Sequence, residues 1–305
     1  YRRLIMNEII MGIDIGYGNT KGSRTLIQSG VKKLVSKPPI DTKTVEYNGE
    51  YYAVGGSKLD IQKSKTENEN TLILTMATIA EELKKIGRNS ADIRLGVGLP
   101  LTRMGAEKQD YLDYMLKSRR LNFRYEGRRY NIYIVSVDVF PQGYAGVISK
   151  LNTFGTSAVV VDIGSWTIDI LPLIEGQPDL ARCKSLPMGT ITAINDINET
   201  LRQKFGEEAE EVFIKEVMIK GSSNINKEYL RVIQEGLYNY VGDIMNNLRS
   251  LKFNSILTQF VFIGGGATII KNFLRTQEEN ITIINDIFIN AKGYEEILRH
   301  KYKVG

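Results

Sequence analysis

Two aspartates in this 305-residue chain stand in similar surroundings and suggest metal-assisted phosphate chemistry. Asp14 follows the apolar run of "EIIMGIDIGYGNTKGS" (residues 8–23), and Asp162 follows that of "TSAVVVDIGSWTIDILPL" (156–173). In both stretches a glycine comes two residues later, which lets a phosphate approach bare backbone N–H groups. A carboxylate repels a phosphate, but it can hold Mg²⁺ through water. The pattern therefore predicts two carboxylates around one magnesium–phosphate group, an arrangement suited to phosphoryl transfer.

A third glycine-rich stretch, "QFVFIGGGATII" (259–270), places three glycines between a strand pattern and a helix pattern. Taken alone, such a run could be a helix-packing device or the remnant of a dinucleotide fingerprint. The fingerprint is disfavoured, because "GIDIGYGNTKG" leads into a second strand pattern and no G-x-G-x-x-G with a downstream acid follows. The sequence also contains no G-x-x-x-x-G-K-[ST] loop. The presence of all three stretches, one after another along the chain, favours a two-domain nucleotide-binding protein over isolated tight turns.

The composition is that of an ordinary soluble globular protein, with 42% hydrophobic and 25% charged residues. The formal charge of +5 suits an anionic ligand or partner without requiring one. The chain has one cysteine, Cys183, and one histidine, His300. These counts argue against disulfides, Cys-based metal sites and histidine-dependent hydrolases. No apolar run is long enough to span a bilayer, and "YRRLIM" is too short for a signal peptide. We therefore expect a cytoplasmic protein without membrane contact.

The elements that must position these residues follow from hydrophobic periodicity. Residues 9–15 read as a buried strand, with 22–27 and 31–36 as its meander partners. The stretch 45–56 reads as a hairpin turning at Asn48-Gly49. Helical spacing runs from Leu72 to Ile86, and Gly87 ends that helix.

The second half repeats this opening, since 156–173 again reads as strand, Asp-Ile-Gly turn and strand. A strand is predicted at 179–186, and helices are predicted at 190–205, 207–219 and 227–251. The last helix carries an apolar stripe that we interpret as core packing. The repeat indicates two related halves, each with an aspartate at a turn.

The motifs together resemble those of the actin/sugar-kinase/heat-shock-chaperone superfamily. In chain order they are "DIGYGNTK", "FPQGYAG", "DIGSWTID", "IGGGATII" and "NAKGYEEI". More narrowly, they are similar to those of ParM-type bacterial actins, which segregate plasmids, and of the related archaeal actin homologue. The resemblance covers the chain from about residue 9 to about residue 300.

The resemblance implies an α/β fold, namely a two-domain actin-like ATPase fold. Its duplicated RNase H-like βββαβαβα domains would have a nucleotide cleft between them. Domain I would comprise residues 1–150, with an inserted subdomain at about 36–90. Domain II would comprise 151–305, with the final helix returning towards domain I.

The resemblance also implies roles for individual residues. Asp14 and Asp162 would hold Mg²⁺ through water, and Asp162 would assist the attacking water. Gln142 stands where actins place a glutamine, and ParM proteins a glutamate, to position that water. The implied contacts to phosphates, ribose and adenosine are Gly16, Tyr17, Gly18, Asn19, Lys21, Gly164, Ser165, Trp166, Gly189, Gly264, Gly265, Gly266 and Ala267, with Asp14 beside them.

Two departures limit what the resemblance implies. Trp166 replaces a residue that is small in many relatives, so only its backbone N–H can be assumed to act. The region 207–220, where relatives hold the adenine, contains no alignable motif. The nucleotide is therefore expected to be ATP, with GTP left open.

The function implied is that of a polymerising Mg²⁺-dependent ATPase, whose filaments grow by head-to-tail contacts and segregate plasmid DNA through a centromere-binding adaptor protein. A small-molecule kinase and a non-filament regulator on the same fold remain alternatives. The kinase is disfavoured because no further aspartate stands out as a substrate base. The sequence shows no stripe of basic and aromatic residues, so we expect DNA to be reached only indirectly.

Overall fold

The protein is described by a computed structural model, which covers residues 8–39, 43–56, 64–254, 256–275 and 280–303. It comprises two compact units, Tyr1–Ser149 with Phe288–Gly305, and Lys150–Ile287. Each unit has its own sheet and its own hydrophobic core. The chain is therefore a mixed α/β protein of two domains, as expected.

The first unit opens with a run of short strands and continues with alternating helices and strands. Its elements up to residue 149 are β1 (Ile9–Ile15), β2 (Asn19–Lys21), β3 (Leu26–Gln28), β4 (Val31–Leu34), β5 (Thr44–Tyr47), β6 (Glu50–Val54), α1 (Asn70–Lys85), β7 (Ser90–Leu99), α2 (Met104–Leu116), β8 (Arg120–Tyr125), β9 (Arg128–Pro141) and α3 (Tyr144–Val147). Among the described residues, these strands form a nine-stranded sheet in the order β3-β2-β1-β7-β9-β8-β5-β6-β4.

The centre of this sheet is parallel, since β1 pairs with β7 and β7 pairs with β9. β1 is buried along almost its whole length, as its apolar sequence requires. The predicted hairpin is confirmed as β5–β6, and Asn48 and Gly49 both have positive φ (51° and 79°), as a type I′ turn requires. The predicted helix is confirmed as α1, and Gly87 ends it at φ +70°.

The predicted partners of the first strand were wrong. Its hairpin partner is β2, and residues 22–25 form a turn in which the Gly22 N–H donates to the Thr25 carbonyl (3.0 Å). β4, in the predicted strand 31–36, pairs instead with β6 at the far edge of the sheet. The turn after Asp14 is tighter than assumed, so the chain returns beside β1 earlier than the apolar pattern suggests.

The second unit repeats the strand–turn–strand opening and then becomes mostly helical. Its elements are β10 (Ser157–Ile163), β11 (Ile168–Ile174), β12 (Gln177–Pro178), β13 (Lys184–Leu186), α4 (Thr190–Phe205), α5 (Glu211–Lys220), α6 (Lys227–Ser250), β14 (Gln259–Ile263), α7 (Ala267–Phe273) and β15 (Ile281–Ile283). In the part of this unit that the structure describes, six strands form a sheet, in which β10 pairs with β11 and with β14.

Two predictions for this unit have different outcomes. The strand predicted at 179–186 is wrong, because a 3₁₀ turn over Leu180–Arg182 leaves only β13 as strand. The stripe on α6 is confirmed as core, with Ile233, Leu237 and Val241 buried. The chain then returns to the first unit in α8 (Ile289–Tyr302), which packs on β1 and β7. Among the described residues, no helix is long and apolar enough to cross a membrane.

Candidate functional site

The turn between β1 and β2 forms the first predicted phosphate loop. The Gly16 N–H donates to the Asn19 carbonyl (3.1 Å), which closes the turn around Tyr17 and Gly18. A Cβ on Gly16 would lie 3.0 Å from that carbonyl oxygen, so a side chain would crowd the turn. Antiparallel register places Lys21 opposite Asp14. The predicted carboxylate, ammonium and bare backbone thus lie together at one end of the hairpin.

Asp14 is buried, yet its carboxylate faces two polar side chains. The Gln142 amide nitrogen donates to Asp14 Oδ1 (2.6 Å), and Lys21 Nζ lies 4.0 Å from Oδ2. A carboxylate has about four lone-pair sites, so these contacts leave capacity for metal-bound water. The structure therefore brings Asp14, Lys21 and Gln142 together from distant parts of the chain.

Gln142 is held by its backbone as well as by its side chain. Its N–H donates to the Leu99 carbonyl (2.8 Å), and the next residue, Gly143, has φ +76° and donates to buried Asn290 Oδ1 (2.9 Å). Gly98 lies against the same side chain, since a Cβ there would be 2.9 Å from Gln142 Cγ. The side chain is therefore fixed against Asp14.

Ser29, a residue that the sequence analysis missed, stabilises the first loop through hydrogen bonds. Ser29 is fully buried, and its hydroxyl donates to the Gly16 carbonyl (2.6 Å). The Thr20 hydroxyl oxygen lies 2.9 Å from the Ser29 hydroxyl oxygen. The Ser29 N–H donates to the Gly18 carbonyl (3.1 Å). A lone serine before a glycine carries no sequence signal, because only the pairing of β2 with β3 brings it to the loop.

Lys65, in the polar stretch 57–70, is a second residue that the sequence analysis missed. Residues 57–63 of that stretch lie outside the described residues. Lys65 Nζ donates to the Gly98 carbonyl (2.7 Å) and lies 5.7 Å from the centre of the Tyr111 ring. Burial raises the pKa of Tyr111, and the charge of Asp14 raises it further. A second ammonium group thus lies beside the strand end that holds Gln142.

The turn between β10 and β11 repeats the first loop. The Gly164 N–H donates to the Thr167 carbonyl (2.9 Å), and a Cβ on Gly164 would lie 3.1 Å from that oxygen. Asp162 precedes this glycine by two residues, as Asp14 precedes Gly16. The internal repeat read from the sequence is therefore a repeat of hydrogen-bonded geometry.

The start of α4 holds this second loop through its backbone. The N–H groups of Gly189, Thr190 and Ile191 donate to the carbonyls of residues 166, 164 and 165 respectively (2.9, 3.1 and 3.0 Å). A Cβ on Gly189 would lie 2.4 Å from the backbone of Ser165 and of Trp166, so packing alone requires this glycine. The contact to ribose predicted for Gly189 stays a prediction.

The three-glycine run lies against Asp162. A Cβ on Gly264, which has φ +85°, would lie 2.3 Å from Asp162 Oδ1, and one on Gly266 would lie 2.2 Å from Ile163 Cγ2. Gly265 has open space above it, so its backbone is free to be approached. The Ala267 N–H donates to the Gly264 carbonyl (3.3 Å) where α7 begins. Two of the glycines thus serve packing, and Gly265 is the one best placed for a ligand.

The described residues contain no cluster of three or more Asp, Glu, His or Cys side chains that could hold a bare metal ion. Mg²⁺ does not need one, because it keeps several waters and binds through one or two carboxylates. A carboxylate beside a glycine turn in each unit, buried Asp14 in the first and half-buried Asp162 in the second, fits that mode of binding.

These features define a protein of the actin type, an α/β chain whose two domains each open with an aspartate-bearing strand–turn–strand. Residues 12–144 match the family "Actin like proteins N terminal domain". Residues 160–276 match the family "Archaeal actin homologue MreB-like, C-terminal". The chain belongs to the actin-like proteins, and the resemblance read from its motifs is confirmed.

Solved structures of the same fold cover nearly the whole chain. An archaeal actin homolog, Ta0583, superposes with a TM-score of 0.80 at 20% identity, covering 96% of this chain and 99% of its own. A ParM from a 15-stranded filament of Clostridium botulinum has a TM-score of 0.76 at 20% identity, covering 97% and 100%. Bacillus thuringiensis ParM with AMPPNP has a TM-score of 0.74 at 16% identity, covering 98% and 100%. No curated protein matches the chain in sequence.

Proposed function

We propose that the chain is a polymerising, Mg²⁺-dependent ATPase whose filaments segregate plasmid DNA through an adaptor protein. The contact that carries this proposal is the 2.6 Å hydrogen bond from Gln142 to Asp14. It places an amide, which can orient water, against a carboxylate, which can hold hydrated magnesium. An amide orients a nucleophile without deprotonating it, which suits slow, regulated hydrolysis.

In this proposal both loops bind the phosphates and the magnesium ion of the nucleotide. Backbone N–H groups around Tyr17–Gly18 and Ser165–Trp166 bind the phosphates, and Lys21 adds a positive charge. Asp14 and Asp162 hold magnesium through water, and the magnesium offsets the charge that develops on the transferred phosphate. Gly265 and Ala267 line the adenosine. Support for an adenine nucleotide comes from relatives of the same fold solved with ADP and with AMPPNP.

Self-assembly is proposed because ParM of this fold and Alp12 are known as filaments. Such polymers need head-to-tail contacts, in which two different surfaces of the subunit meet and the rotation does not close. The adaptor recognises the DNA, and the filament, by its length and its lifetime, separates the DNA copies. We place this assembly in the cytoplasm, away from membranes.

Light scattering tests the proposal most directly. Purified protein would be mixed with ATP, GTP or no nucleotide, each with Mg²⁺ or with EDTA, while phosphate release is followed in parallel. We expect scattering and phosphate release only with nucleotide and Mg²⁺, and we expect Asp14→Ala to lose both. Phosphate transfer to a small molecule without scattering would refute the filament function and favour a kinase.

A further inference from the structure

The outward surface of β8 and the first half of β9 carries a set of polar, mainly basic side chains. We call this surface the basic face; its members are Arg120, Asn122, Arg124, Arg129, Asn131 and Tyr133. The alternate residues of both strands, such as Phe123 and Ile132, are buried in the core. The side-chain alternation of strands therefore leaves five of these six side chains exposed, with Tyr133 half-buried.

The positive charge on this face is only partly neutralised by the described residues. Arg124 lies directly opposite Arg129 across the two strands, and like charges in that position destabilise a sheet. Glu46 lies 3.9 Å from Arg124, while Arg120 and Arg129 form no ion pair with any described residue. Two arginines without an ion-pair partner among the described residues, one of which faces a third arginine, point to an acidic partner.

The face also has room for a partner's side chains. A cavity of about 520 Å³ lies on it, and its polar lining comprises Asn48, Asn122, Arg124, Arg129 and Asn131 with one acidic residue, Glu46. Arginine and asparagine side chains offer planar sets of N–H donors that suit carboxylates. The cavity therefore fits an acidic segment that projects from another molecule.

The chain itself presents such a segment. Residues 207–210 between α4 and α5, here called the acidic turn, carry three glutamates in four positions. Glu208 pairs with Arg202, whereas Glu207 and Glu210 are exposed and form no ion pair with a described residue. Val212 and Phe213 follow after Glu211 and are 61% and 39% exposed. Acidic side chains without an ion-pair partner, close to exposed apolar side chains, are typical of a protein–protein interface with an apolar centre and a polar rim.

We infer that the basic face of one copy binds the acidic turn of the next copy, and that this pairing is a head-to-tail contact of the filament. The two surfaces are different and complementary in charge, as a contact that does not close on itself requires. This inference rests on the proposed function and names the surfaces by which it assembles. Because the charges are exposed, the contact sets the rate and specificity of assembly, and salt weakens it.

A charge swap tests the pairing. One variant carries Arg124→Glu with Arg129→Glu, a second carries Glu207→Lys with Glu210→Lys, and a third carries all four changes. The matched control is Arg231→Glu, an exposed arginine of α6 outside both surfaces. Each variant is first checked for folding by circular dichroism. The measurement is the critical concentration for polymerisation with ATP and Mg²⁺, by light scattering and pelleting.

We expect each two-site variant to raise the critical concentration by about tenfold or more, because facing like charges oppose the contact. An equimolar mixture of the two variants, and the four-site variant alone, should return to within about threefold of the wild type. Arg231→Glu should behave as the wild type does. Rescue of this kind cannot arise from a general loss of stability.

Other outcomes overturn the inference. If wild-type protein polymerises and the arginine variant does so equally well, this contact is wrong while the proposed function stands. Loss of polymer in both variants without rescue in the mixture also refutes the pairing. Normal polymerisation with loss of binding to a fluorescent DNA duplex would make the basic face a nucleic-acid surface instead. A wild-type chain that never polymerises would refute the proposed function and this contact together.

Discussion

Ser29→Ala should weaken nucleotide binding although Ser29 is not among the predicted nucleotide contacts. The hydroxyl donates to the Gly16 carbonyl at 2.6 Å and lies 2.9 Å from the Thr20 hydroxyl, at a fully buried position. Its removal leaves the half-buried Gly16 carbonyl and the fully buried Thr20 hydroxyl without that partner, which costs about 1–3 kcal/mol. In a domain of this size each kcal/mol lowers the melting temperature by about 2–4 °C.

Part of this loss should appear in binding, because the nucleotide must then reorder the first loop. Since 1.4 kcal/mol corresponds to a factor of ten, a loss of 1–3 kcal/mol that appeared wholly in binding would weaken it by about 5- to 140-fold, which sets the upper bound. The assay is titration of a fluorescent ATP analogue with Mg²⁺ present, alongside thermal unfolding. The control is Thr78→Val, which removes a buried hydroxyl that donates to the Leu74 carbonyl (2.8 Å) within α1. If both variants lose stability equally and neither loses affinity, Ser29 does not shape the loop and the reasoning is refuted.

Three further predictions concern other contacts. Gln142→Ala should still bind ATP and polymerise but release phosphate about 10²–10⁴-fold more slowly, with filaments that persist; wild-type phosphate release would count against its proposed role. Gly12→Ala should unfold at markedly lower temperature, because its Cβ would lie 1.9 Å from the Ala291 carbonyl oxygen of α8, whereas Gly105→Ala, with open space, should not. Burial raises the pKa of the Glu295 carboxyl, so the folded protein holds its proton more tightly than the unfolded chain. The free energy of unfolding should therefore fall as the pH rises from the ordinary pKa of that carboxyl through the raised value. Urea titrations at several pH values should show this loss for the wild type and not for Glu295→Gln.

Sequence patterns predicted the elements whose signals are local. The apolar strand before Asp14, the Asn48-Gly49 hairpin and the long stripe of α6 are each encoded in a short window, and all three are confirmed. The internal repeat was also visible, because both aspartate turns have the same order of residue types. The strands at 22–27 and 179–186 were misplaced, since a turn interrupts each apolar run.

The contacts between residues distant in sequence could not be predicted from local patterns. Ser29 reaches the first loop only because β2 pairs with β3, and Lys65 reaches the Gly98 carbonyl of β7 from a position 33 residues earlier in the chain. The basic face escaped detection because its arginines are separated by Tyr125–Arg128 in sequence and meet only through the β8–β9 register. For Gly189 and Gly264, the sequence suggested ligand contacts, whereas close backbone packing already requires both glycines.

The return of α8 to the first unit has a consequence for the order in which the protein folds during synthesis. The first unit needs residues 288–305, which the ribosome adds only after the whole of the second unit. At about 5–20 residues per second, roughly 8–30 s pass between the last residue before the second unit and the arrival of α8. During that interval β1 and β7 lack the helix that covers them, while the second unit already has all of its residues. The N-terminal domain, which is made first, is therefore completed last, and its sheet is the surface that a chaperone would have to protect.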